Sequence, residues 1–171
     1  MQHRSPPPQP AARLVASAAV AVALAGVLLA SGCASQTSGR SAPDGRASAA
    51  RYLAIANAGN QRLEIDFDHL DGPDRGDLSA AQADLRDASA TEHLFDQSLQ
   101  AITFPPPTEA VAKSLFAVNE ARADLTATAA RVTSLAGLAG YEKQLTAANV
   151  PVENAVKMIR QQLGLPPPPP S

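Results

Sequence analysis

The sequence predicts an all-α domain, an antiparallel up-down bundle of four helices. Three observations point there. Aromatic residues are only 4% of the 171 positions and tryptophan is absent, while alanine fills 36. That composition suits closely approaching helices and lacks the β-branched and aromatic residues that pack a sheet. Apolar and small residues recur in alternating steps of three and four through residues 46–164, the spacing of one helical face. The stretches of this pattern are each about 25 residues, roughly 37 Å of helix. The breaks between them are short, so neighbours run antiparallel.

The first helix carries the seam Ala49, Leu53, Ala56, Asn60, Leu63, Phe67 and Leu70. It ends at Asp71-Gly72-Pro73, where glycine tolerates a left-handed stop and proline cannot extend the helix. The second seam is Leu78, Ala81, Leu85, Ala88, Glu92, Phe95, Leu99 and Ile102. Ser79 with Gln82 forms a capping box at its start, and Asp77 is a competing cap. Phe104-Pro105-Pro106-Pro107-Thr108 separates it from the third seam, Val111, Leu115, Val118, Ala121, Leu125, Thr128, Val132 and Leu135. Glu109 lies near the positive end of that helix's dipole. Gly137 and Gly140 bracket the next break. The fourth seam is Leu138, Tyr141, Leu145, Ala148, Ala155, Ile159 and Leu163. Pro151 removes an amide donor inside it and predicts a kink or break there, with five helices as the alternative to four. Gly164-Leu165 before Pro166 predicts a Schellman ending, and residues 165–171 an extended proline-rich tail.

Residues 1–13 carry Arg4 and Arg13 and no acid, and residues 14–30 are apolar except for Ser17. A run of 17 fits either a cleaved signal or an uncleaved anchor by length. The next residues decide. Ala30-Ser31-Gly32-Cys33 sets small side chains directly before the chain's single cysteine, and this resembles the lipobox of bacterial lipoproteins. The resemblance implies a signal peptide of residues 1–32, cleavage before Cys33, a diacylglyceryl group on the Cys33 thiol and acylation of the new amino terminus. It implies a membrane partner reached through lipid, on the outer face of the cell membrane. Two acyl chains satisfy the need for two signals in stable membrane residence. The whole chain is also similar, loosely, to small alanine-rich actinobacterial lipoproteins of unassigned function, in its Phe-Pro joint and terminal Leu-Gly-Leu-Pro-Pro.

Cleavage removes Arg4 and Arg13 and no acid, taking the formal charge from −2 to −4. No basic field then exists for nucleic acid. Residues 33–45 have the small, polar composition of a flexible tether, and residues 46–164 form the helical domain.

Candidate chemistry is sparse. A single cysteine excludes a multi-cysteine metal site and an intramolecular disulfide. Asp66-x-x-His69 and His93-x-x-Asp96 each pair a carboxylate with an imidazole on one helical face, but the antiparallel hairpin holds the two histidines roughly 21 Å apart. Asp66, Asp68, Asp71, Asp74 and Asp77 gather at one end and are candidate divalent-metal ligands, although the sharp-turn glycine of a calcium loop is missing. Glu92 sits on a seam, where a carboxylate needs a partner such as Arg51 or Arg122 unless Thr91 turns inward instead. Asn57, Asn60 and Asn119 lie in apolar surroundings; with Glu92 they either set helix register or line a ligand cavity. No nucleophile with a base, P-loop or dinucleotide fingerprint is present. The expectation is a non-enzymatic, cofactor-free envelope module that binds an envelope protein or cell-wall component. A cavity for a small ligand or divalent metal is the alternative.

Overall fold

The computed structural model describes residues 44–168. The signal segment 1–32, Cys33, nearly all of the tether and the last three residues lie outside the described residues. Among the described residues five helices occur in order: α1 Gly45–Asp71, α2 Leu78–Gln100, α3 Pro106–Ala129, α4 Leu135–Ala139 and α5 Glu142–Gln162. Among the described residues there is no strand. The architecture is the expected four-helix bundle, with α4 and α5 as the two parts of a broken fourth helix.

Local chemistry explains the ends. Asp77 caps α2, its side chain accepting from the amides of Ser79 and Ala80. Gln82 therefore leaves the capping role and donates instead to the Val132 carbonyl at 2.6 Å. α3 begins on proline, whose missing N–H costs nothing in the first turn. At the end of α1, Gly72 has φ −107° rather than a left-handed value. It is needed because a Cβ there would sit 2.7 Å from the Asp68 carbonyl oxygen. After α5 the expected Schellman ending forms: Gly164 has φ +66°, its amide donates to Gln161 O, and the Leu165 amide donates to Arg160 O.

The break in the fourth helix falls at Gly140–Tyr141, not at Pro151. α5 runs through Pro151 without interruption. Ala147, the residue whose carbonyl loses its donor, is exposed, as is Pro151 itself, and on an exposed helix face solvent can stand in for the lost donor. The two poor helix formers Gly137 and Gly140 stop the chain first.

Packing is strong between α1 and α2, between α2 and α3, and between α3 and α5, while α1 and α5 approach each other only weakly. One apolar cluster holds Tyr52, Leu99, Leu115 and Ile159 at the end where α1 begins; a second holds Leu70, Leu85 and Ala129 at the opposite end. On α2 the seam is buried as expected at Ala81, Leu85, Ala88, Glu92 and Leu99. On α1, Tyr52 is buried beside Ala49 and Ala56, with Leu53 only half-buried. The second half of α3 differs from the expected stripe. Asn119, Ala123, Thr126 and Ala129 face inward, while Ala121 and Thr128 are exposed and Val118 and Leu125 half-buried. Polar contacts made by Asn119 and Arg122 turn that face toward α2.

Candidate functional site

Between the two apolar clusters lies a polar waist where α2 faces α3. Glu92 and Asp96, one helical turn apart on α2, are 2% and 0% exposed. From α3, Arg122 Nη2 reaches Glu92 Oε1 at 3.0 Å and also donates to Asn119 Oδ1 at 3.0 Å. Asn119 Nδ2 donates to Asp96 Oδ2 at 2.9 Å and to the Glu92 carbonyl at 3.3 Å. Arg122 Nη1 extends the network to Asn149 on α5 at 3.4 Å. Toward solvent the waist continues through Glu120, which holds His93 Nδ1 at 3.0 Å.

Among the described residues, two buried atoms of this network have no hydrogen-bond partner, Glu92 Oε2 and Arg122 Nε, while Asp96 also shares a side-chain hydrogen bond with Glu120. A buried polar group without a partner costs about 1–3 kcal/mol, which makes such atoms unusual in a settled core. Burial pushes the Glu92 carboxyl up to about 7 against the pull of Arg122. Burial also raises Asp96 to about 7; the Asn119 hydrogen bond opposes this, and nearby Glu120 and Glu92 add to it. The hydrogen bond to Glu120 raises His93 despite partial burial.

Because α1 and α5 do not close on each other, the waist is reached from outside through a cleft of about 280 Å³. Its floor is Glu92, Asn119 and Arg122; its walls are largely apolar, with Tyr52 and Phe95 on one side and Val152 and Val156 on the other. The Tyr52 and Phe95 rings meet edge to face at 6.5 Å. Pro167 and Pro168 of the tail border the opening. A volume near the lower end of the usual range for ligand sites, mostly apolar with a few converging polar groups, is what a small amphipathic molecule requires.

Comparison of the chain with family models, curated proteins and solved structures finds no match. The site therefore stands on its own geometry.

Of the four polar residues singled out for ligand binding, the cleft brings together Asn60, Glu92 and Asn119. Asn57 is half-buried, its Oδ1 has no hydrogen-bond partner among the described residues, and it is not among the lining residues. Glu92 has Arg122 as its partner rather than Arg51, and Thr91 is buried as well. Sequence reading did not pick out Asp96 as part of this network, or Tyr52 and Arg160 as part of the cleft. The i,i+4 spacing of Glu92 and Asp96 was a usable signal. Nothing in the sequence announces Arg160, because its burial depends on how the chain turns after α5.

The acidic segment does not assemble as one group. Asp77 is used as the α2 cap. Asp74 converges with His69 and with Asp84, a residue outside the expected set, their ligand atoms lying within 4.8 Å of one another. Among the described residues Asp66, Asp68, Asp71 and Asp77 form no such group. Desolvation raises the carboxyls of Asp66, Asp71 and Asp84.

Proposed function

We propose that the chain is a lipoprotein held at the outer face of the membrane through acylated Cys33. Its bundle acts there as a non-enzymatic binding module, and a small amphipathic ligand occupies the cleft between α1 and α5. The observation that carries the reading is the opening between these helices above buried, unpartnered polar atoms. Of the two expectations raised by the sequence, docking through an outer face and ligand binding in a cavity, the cleft favours the second.

Two measurements test the proposal. Cys33→Ala is expected to move the chain from the membrane fraction to the soluble or unprocessed fraction; unchanged fractionation rejects the lipid anchor. For the cleft, the full chain in nanodiscs is titrated with octanol while the Val152 and Val156 methyl resonances are followed. Gly59 lines the cleft and a Cβ there would make only ordinary contact with Phe95, at 3.9 Å, so Gly59→Leu is expected to occupy the cleft, with an unchanged far-ultraviolet circular dichroism spectrum as the check that α1 is intact. Saturable shifts in the wild type that disappear in Gly59→Leu support the module. No saturable shift, or the same shift in both, rejects it.

A further inference from the structure

The cleft's charged residues pair off with one exception. Glu92 holds Arg122 at 3.0 Å, and Glu153 lies 3.9 Å from Lys157. Arg160 is the remaining lining charge. It is 7% exposed, and among the described residues no carboxylate comes within ion-pair distance of it. The one hydrogen bond of its side chain to a described residue runs from Nε to the Pro166 carbonyl at 2.6 Å. The positive φ of Gly164 folds the chain back so that this carbonyl arrives.

The terminal nitrogens of Arg160 are not among the buried atoms without a partner, and the residue lines the cleft. A largely buried guanidinium whose described side-chain partner is one neutral carbonyl is under-compensated. Desolvating the cation costs several kcal/mol by the usual measure, about what a well-placed anion recovers. The fork of guanidinium donors matches the two oxygens of a carboxylate or phosphate better than a single carbonyl. Tyr52 does not supply the missing charge: burial pushes its phenol up to about 12, even though Arg160 pulls it the other way. It therefore stays neutral and contributes its ring to the wall.

We infer that the cleft takes a single-chain anionic amphiphile, its carboxylate or phosphate head on Arg160 and its apolar body between Tyr52, Phe95, Val152 and Val156. The head replaces the Pro166 carbonyl, so the first prolines of the tail are displaced as the ligand enters. This rests on the cleft being a ligand site, and adds the sign of the ligand's charge and the residue that reads it.

The test uses the full chain in nanodiscs with octanoate, octyl phosphate, octanol and inorganic phosphate as probes. Each probe is compared between wild type and Arg160→Gln, so that partition into the lipid cancels. Arg160→Gln is expected to weaken octanoate and octyl phosphate about tenfold and leave octanol unchanged; tenfold corresponds to about 1.4 kcal/mol. Arg160→Lys, which keeps the charge without the fork, is expected to fall between. Carboxyl-labelled octanoate bound to the wild type should titrate below its free value, a reading independent of whether any variant folds. Equal sensitivity of octanol and octanoate to Arg160→Gln, or an unshifted bound carboxyl, overturns the inference while leaving the octanol-binding cleft intact. Inorganic phosphate binding as tightly as octyl phosphate overturns the amphiphile and leaves a site for a free anion. Saturable octanol binding is the arm on which the cleft itself depends.

Discussion

At the scale of single residues, the waist makes stability depend on pH in a definite direction. Burial pushes the Glu92 carboxyl up to about 7 in the folded chain, from the ordinary 4.5 that it regains on unfolding. Between those values the folded state holds the extra proton, so stability is greatest in acid and falls as pH rises toward and past 7. Asp96 is raised for the same reason. His93 is raised by Glu120, and its contribution is also lost as pH rises through its folded value. All three point the same way. The melting temperature is expected to drop from pH 5 to pH 8, with Glu92 alone accounting for about 3 kcal/mol at most. Glu92→Gln should flatten the profile. Arg122→Ala should steepen it, because the unpaired Glu92 carboxylate then costs about 3–5 kcal/mol at pH 8 and much less once protonated. A melting temperature independent of pH, or one that rises toward pH 8, would mean that these groups are not buried together as described.

At the scale of elements, what was legible follows from where burial is decided. The α2 seam could be read because its inward positions, Ala81, Leu85, Ala88 and Leu99, contrast with charged and polar neighbours. The second half of α3 offers alanine, valine and leucine on several faces, so apolar periodicity chose a stripe through Val118 and Leu125. The structure turns Asn119 and Arg122 inward, because Glu92 and Asp96 on the neighbouring helix need partners. A polar match across two helices overrode a weak apolar pattern, and a periodicity count cannot see that. Loop glycines show the same division. Gly72 and Gly76 look alike in the sequence, but a Cβ at Gly72 would stand 2.7 Å from a backbone oxygen, while nothing lies within 4 Å of one at Gly76. Gly72→Ala should therefore destabilise the bundle by about 1 kcal/mol or more in urea unfolding. Gly76→Ala should be neutral or gain a few tenths through the unfolded state. In α5, Pro151→Ala restores an amide donor within an unbroken helix and is expected to stabilise by about 1–3 kcal/mol. If Pro151→Ala destabilises instead, Pro151 has a packing role that its exposure conceals.

At the scale of the whole molecule, the unequal packing of the four long helices sets which parts open first. α2 is packed on α1 and α3, and α3 on α2 and α5, whereas α1 and α5 each have one strong neighbour. An outer helix can separate by giving up one interface, while either inner helix must give up two. Local opening free energy follows the number of interfaces lost. Amide hydrogen exchange should therefore be slowest in the middles of α2 and α3, around Leu85–Leu99 and Leu115–Ala123, and faster through the middles of α1 and α5, which line the cleft. An occupant of the cleft bridges α1 to α5 and supplies each with its second interface. Saturating octanoate should then slow exchange in α1 and α5 and change α2 and α3 little, because binding stabilises most the opening reactions that would release it. Uniform exchange across the four helices would mean that the bundle opens only as a unit, with no strain or freedom concentrated at the cleft. Protection gained equally everywhere on adding octanoate would mean that the ligand stabilises the fold globally rather than by joining the two helices it lies between.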